Sequence, residues 1–314
     1  MVHSRDVVLI LMLATATGAC AQPDDAAQNG SAPGAAEQAT PQDAPVVVSD
    51  TPEDSLIFER TVAWVRESRS DTLPIGELIA AIGQRFVGAP YTPGLLEVPE
   101  TEQLVVNLRE FDCVTYVEHM LSMARAIAAG EPTYGRFKDE LRRIRYRDGE
   151  LTGYPSRLHY FSEWISNNDD KGVVENITQA LGGVRDTTGI DFMSRHTESY
   201  RQLADSVNLQ AIREKEAELS SFPRYMIPEN RIADVADQIR NGDVIAATST
   251  VPGLDIAHTG LALWVDGRLH LMHAPLVGSM VEISEVPLAE RIQRIEAQDG
   301  IMVARPQPPQ GAAR

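Results

Sequence analysis

The chain is predicted to fold as one α+β domain behind an unordered N-terminal segment. Three features of its 314 residues lead there. Apolar residues recur at helical spacing in the first half of the chain. The C-terminal third breaks into short apolar runs bounded by turn residues. The first fifty residues contain almost no large apolar side chains beyond a short leader.

In order, His3 and Arg5 precede a short apolar core from Val7 to Leu13. This is the length of a signal-peptide core and too short for a membrane span. The small residues Ala14 to Ala19 lead into Cys20, and Thr17-Gly18-Ala19-Cys20 resembles a bacterial lipobox. Residues 1–19 are therefore expected to be a lipoprotein signal peptide, with Cys20 acylated. Thr17 stands where Leu is usual, so an ordinary cleaved signal is the alternative. Residues 20–50, rich in Ala, Gln, Asp, Pro and Gly, cannot bury enough surface to order themselves and read as a lipid-anchored tether.

The folded domain is expected over 51–314. Ser55 to Glu67 and Leu73 to Phe86 carry helical spacing, Gly88 to Gly94 is turn-rich, and Leu104 to Leu108 is extended. Phe111-Asp112-Cys113 opens the next helix. Asp112 suits the N-cap, Phe111 and Tyr116 suit a hydrophobic staple, and Val114, Val117, Leu121, Ala124 and Ile127 form its buried face. A mainly helical insert is expected over about 130–240. It includes a basic run, Arg142 to Arg147, and a cluster of Arg157, His159, Tyr160 and Trp164, read either as an interior network or as ligand contacts. Strands follow at Val244 to Ala247, Ala257 to Val265, Arg268 to Ala274, Met280 to Ile283 and Ile301 to Ala304, forming a small antiparallel sheet.

The net charge of −17 argues against nucleic acid as a partner, because phosphate binding needs a basic surface. Two cysteines are too few for a disulfide framework. Cys113, in the first turn of a helix, sits where the helix dipole favours a reactive thiolate. The alternative is a small buried apolar residue.

The histidines bear on this choice. Asp266-Gly267 is a two-residue hairpin turn, so Val265 opposes Arg268, Leu263 opposes His270, Gly260 opposes His273 and His258 opposes Pro275. His258 and His273 then share one face as diagonal neighbours about 7–8 Å apart, while His270 takes the other. A thiol beside an imidazole that a second polar group orients is the minimal apparatus for acyl transfer. Zinc held by Cys113, His258 and His273 is the rival chemistry, without a local ligand pair such as His-Glu-x-x-His.

Phe-Asp-Cys113-Val-Thr-Tyr-Val-Glu118, Arg157-Leu-His-Tyr160, Asp-Ile-Ala-His258-Thr-Gly and His273-Ala274 together resemble the N-acetylmuramoyl-L-alanine amidase-like family, within the NlpC-type papain-like cysteine peptidases. The resemblance spans roughly 55–305. It implies a papain-like domain whose nucleophile helix packs on the antiparallel sheet. It also implies a peptidoglycan hydrolase that cleaves the amide between N-acetylmuramic acid and L-alanine through a thioester. Cys113 would be nucleophile, His258 base and then acid, and His273 its orienter. Tyr91, Arg157, His159 and Tyr160 would meet substrate. No cofactor or metal is implied. The expected partners are muropeptides and, through Cys20, the lipid bilayer on the periplasmic side, with the outer membrane favoured by Ala21. A stem-peptide endopeptidase, a Cys-His acyltransferase and a non-catalytic wall-binding lipoprotein are the other readings.

Overall fold

A computed structural model describes residues 46–130 and 132–310. The leader, Cys20 and nearly all of the tether lie outside the described residues. In chain order the elements are β1 (Val48–Ser49), α1 (Pro52–Glu67), α2 (Ile75–Arg85), β2 (Leu104–Val105), α3 (Cys113–Ala128), α4 (Tyr134–Arg145) and α5 (Phe161–Asp170). The insert continues with β3 (Val174–Asn176), β4 (Val184–Asp186), α6 (Phe192–Arg195), α7 (Ser206–Ser221), β5 (Arg224–Pro228) and α8 (Ile232–Val235). The C-terminal part is β6 (Val244–Ser249), β7 (Ile256–Val265), β8 (Arg268–His273), β9 (Glu282–Ile283), α9 (Leu288–Gln293) and β10 (Gln298–Pro306).

The architecture is α+β. Strands run in the order β4-β5-β10-β6-β7-β8-β9, with β3 also paired to β10, in one sheet of eight. One expectation is corrected here. Besides helices α4 to α8, the insert supplies the strands β3, β4 and β5. The sheet is accordingly larger than the C-terminal strands alone would make. These strands are three to five residues long and owe their conformation to pairing with one another and with β10.

Two apolar layers flank the sheet. On one face Ala246, Leu261, Leu263, Met272 and Met302 pack with Val117, Leu121 and Ala124 of α3 and with α1, α2, α4 and α5. On the other, Ile245, Ala247, Ala262, Leu271 and Val303 pack with Ile232 and Val235 of α8 and Leu288 and Ile292 of α9. Alternate residues of each strand serve alternate layers, as the pleat requires.

Helix α3 begins where its sequence dictates. The Asp112 carboxylate accepts the Thr115 amide at 2.7 Å, and the Thr115 hydroxyl returns a bond from the Asp112 amide at 2.9 Å. Phe111 meets Tyr116 edge to face at 5.8 Å, closing the staple. Every residue from Thr115 to Ile127 is buried, so α3 is enclosed on all sides. Behind it, Glu118 binds Arg145 of α4 at 2.7 Å and accepts the Trp164 indole of α5 at 3.2 Å. The approach to α3 is fixed by the fully buried Asp54, which accepts the Leu108 amide at 2.8 Å and Arg109 at 3.2 Å.

Candidate active site

The hairpin has the predicted register. Val265 opposes Arg268, Leu263 opposes His270 and Leu261 opposes Met272. Asp266 (φ 48°) and Gly267 (φ 73°) both take the left-handed conformation that a two-residue turn of this hand needs. His258 and His273 meet side by side, Nε2 to Nδ1 at 2.9 Å, with their rings perpendicular. His270 lies apart, its Nδ1 on the Ser284 carbonyl at 2.8 Å. Gly260 makes the close histidine pair feasible, since a Cβ there would stand 2.8 Å from the Met272 carbonyl and 2.9 Å from His273 Cβ.

The β6–β7 ladder shifts register beside His258, where Ala247 opposes His258 but Thr248 opposes Ile256. Such bulges re-aim the side chains next to them. Thr259, the residue after His258, donates its hydroxyl to the Cys113 carbonyl at 2.8 Å. The first turn of α3 is thereby pinned to the strand that carries His258.

Burial dominates the electrostatics of the thiol and the histidine pair. Burial pushes the Cys113 thiol up to about 11, and the Asp112 carboxylate adds to this, against hydrogen bonds from Thr259. Burial thus opposes the thiolate that the helix N-terminus was expected to favour. Burial also holds His273 down at about 3 and His258 well below its ordinary value. Burial thus disfavours charge on the thiol and on both imidazoles, which leaves the imidazole pair able to accept a proton.

Tyr91 belongs to this centre. Its amide bonds the Ser279 carbonyl at 2.8 Å, and the residues on either side of it bond Phe111. Burial raises its phenol, and the charges of Cys113 and Asp112 add to that. The other predicted substrate contacts are committed elsewhere. Arg157 is 4% exposed and engages Glu97, Glu102 and the Leu96 carbonyl, with its guanidinium over Tyr154. His159 Nε2 lies 2.8 Å from the Tyr154 carbonyl. The Tyr160 hydroxyl donates to Glu216 at 2.7 Å and accepts the Met193 amide. Trp164 is fully buried against Phe161. This segment is an interior network joining the insert to the core, the reading that the sequence allowed beside ligand contact.

Two groups near the histidines carried no signal in the sequence. Glu282 of β9 lies opposite His273, and Arg291 of α9 acts electrostatically on His258, His273, Glu282 and Cys113. Their positions depend on tertiary packing of α9 and the edge strand.

With this geometry in view, likeness to known proteins decides the family. The AmiA-like, N-acetylmuramoyl-L-alanine amidase-like family model matches residues 81–301, which include Tyr91, Cys113, His258 and His273. The chain belongs to this family. The 1.15 Å crystal structure of an N-acetylmuramoyl-L-alanine amidase from Bacteroides uniformis ATCC 8492 is similar, with 35% identity and a TM-score of 0.71, covering 74% of this chain and 99% of that one. A provisionally named xylanase from Bacteroides fragilis has 38% identity and a TM-score of 0.68, over 71% of this chain and 98% of its own. A Legionella pneumophila protein at 22% identity and a TM-score of 0.60, over 81% of this chain and 97% of its own, shares the fold. Comparison with curated proteins gives no match.

Proposed function

We propose that the chain is a cysteine-dependent peptidoglycan hydrolase of the NlpC-type papain-like kind, cutting the amide between N-acetylmuramic acid and the first L-alanine of the stem peptide. The observation that carries the cysteine mechanism is the histidine pair at 2.9 Å, whose His258 sits on the same strand as Thr259, which holds the Cys113 carbonyl. A thiol and two imidazoles suit acyl transfer, whereas glycoside hydrolysis calls for paired carboxylates. This favours the amidase name over the xylanase name among the similar structures.

The steps follow from the resting charges. His258 takes the Cys113 proton as Sγ attacks the amide carbonyl carbon, and the Cys113 amide at the helix N-terminus donates to the oxyanion. The C–N bond breaks as the imidazolium returns its proton to the departing amine. Water, deprotonated by His258, then hydrolyses the thioester and regenerates the thiol. His273 stabilises the imidazolium through its hydrogen bond to His258.

The choice of bond rests on the family likeness. Arg157, His159, Tyr160 and Trp164 lend it no support, because their polar groups are engaged within the protein. Incubation with N-acetylmuramoyl-tripeptide should release free tripeptide with an L-alanine amine terminus. Release of muramoyl-L-Ala-D-Glu would assign the chain to the stem-peptide endopeptidases instead. We further propose that acylated Cys20 anchors the enzyme to the envelope membrane on its periplasmic side.

A further inference from the structure

We propose that Glu282 is a positioning residue that fixes the tautomers of the histidine pair and so makes Nδ1 of His258 the base. The proposal rests on the cysteine mechanism above and extends it by one residue. Glu282 lies directly opposite His273 across the β8–β9 ladder, so both side chains emerge on one face. Its Oε1 is 3.7 Å from His273 Nε2. That nitrogen is buried and has no hydrogen-bond partner, although His273 as a whole is 1% exposed. A buried ring nitrogen left unpaired beside a carboxylate is resolved by a small approach of the two, and Glu282 is 40% exposed and free to make it.

The consequence is a matter of counting protons. An ionised carboxylate only accepts, so Nε2 of His273 must carry the hydrogen. Nδ1 of His273 is then bare and accepts from His258, which requires the hydrogen on Nε2 of His258. Nδ1 of His258 is left with its lone pair. In the opposite tautomer His273 would donate through Nδ1, and the lone pair of His258 would be consumed by that bond. When Nδ1 of His258 takes the thiol proton, the new positive charge is shared along a line that ends on Glu282.

The Glu282 carboxylate is half-exposed and is not locked in a salt bridge with Arg291. Burial raises the Glu282 carboxyl, Arg291 of α9 acts against that, and Glu285 from its own segment adds to it. Arg291 is itself held by Gln298 at 3.3 Å, and no ion pair of 4 Å or less between it and Glu282 forms. Glu282 is therefore free to serve His273.

Two measurements test this. Histidine 15N spectra of the unmodified enzyme should show His273 protonated at Nε2 and His258 at Nε2 at neutral pH. A bare Nε2 on His273 would overturn the proposal without any substitution. Glu282→Gln, assayed on N-acetylmuramoyl-tripeptide, should lose about tenfold in kcat with little change in KM, the usual scale for an outer-shell partner. The acid limb of its pH profile should move to lower pH, because removing a negative charge disfavours the imidazolium. Unchanged kcat and an unchanged acid limb in a folded Glu282→Gln enzyme would overturn the proposal. Cys113→Ala separates the two levels: if it is active the thiol mechanism itself fails, and if it is inactive the Glu282 results are read on their own.

Discussion

At the scale of single residues, the structure separates the histidines proposed to do chemistry from one that resembles them in sequence. His258 and His273 share a hydrogen bond, whereas His270, three residues from His273, serves the Ser284 carbonyl. Cys113→Ala and His258→Ala should each lower turnover on the order of 10³-fold or more, since neither the nucleophile nor its base has a substitute. His273→Ala should cost roughly 10–100-fold, as an orienting group does. His270→Ala should leave turnover per folded molecule near that of the parent and lower stability by about 1–3 kcal/mol, as its carbonyl partner loses its bond. Kinetics and urea denaturation of the four variants check the series. The resting charges give a second expectation. A thiol raised to about 11 by burial is protonated at neutral pH. Alkylation of Cys113 by iodoacetamide should therefore climb with pH toward about 11. A flat, fast plateau across acid and neutral pH would show a preformed ion pair and contradict this.

At the scale of elements, what the sequence disclosed depended on how local the determinant was. The β7–β8 register was legible because a two-residue turn fixes it, and with it which histidines meet. The start of α3 was legible because cap and staple lie within six residues and the periodic apolar face follows at once. Strands β3, β4 and β5 were not. Val184-Arg185-Asp186 is too short to show alternation, and its extended state comes from pairing with β5 about forty residues away. The role of the basic run Arg142 to Arg147 was likewise not legible from composition. Arg145 is buried on Glu118 and the Val105 carbonyl, and Arg147 reaches Glu163 and the Pro155 carbonyl. These arginines wire α4 to its neighbours. Arg145→Leu strands the buried Glu118 carboxylate behind the nucleophile helix, and should cost about 3–5 kcal/mol. Replacing Glu118 by Leu as well should recover part of the loss. Urea midpoints of the single and double variants decide it, and an additive double variant would show that the pair is not coupled.

At the scale of the whole molecule, the proposed catalytic groups and the proposed anchor fall in separate parts of the chain. Tyr91, Cys113, His258, His273 and Glu282 all lie within the compact unit that begins at Val46, while Cys20 precedes it. Among the described residues no helix is long and apolar enough to cross a membrane. If the lipobox is used, acyl chains on Cys20 would supply the membrane attachment. One acyl chain binds a bilayer only marginally, and two or more hold it stably. The net charge of −17 would oppose adsorption to an anionic surface, so electrostatics cannot replace the lipid. Cys20→Ser should thus move the protein from the membrane fraction to the soluble fraction. Its kcat/KM on soluble N-acetylmuramoyl-tripeptide should stay at the parent value, because no site residue is touched. Fractionation, intact mass of the N-terminus and the soluble assay together make the test. An unmutated protein that is soluble and carries an unmodified N-terminus would refute the anchor, and a Cys20→Ser protein with impaired turnover would refute the separation of anchor from site.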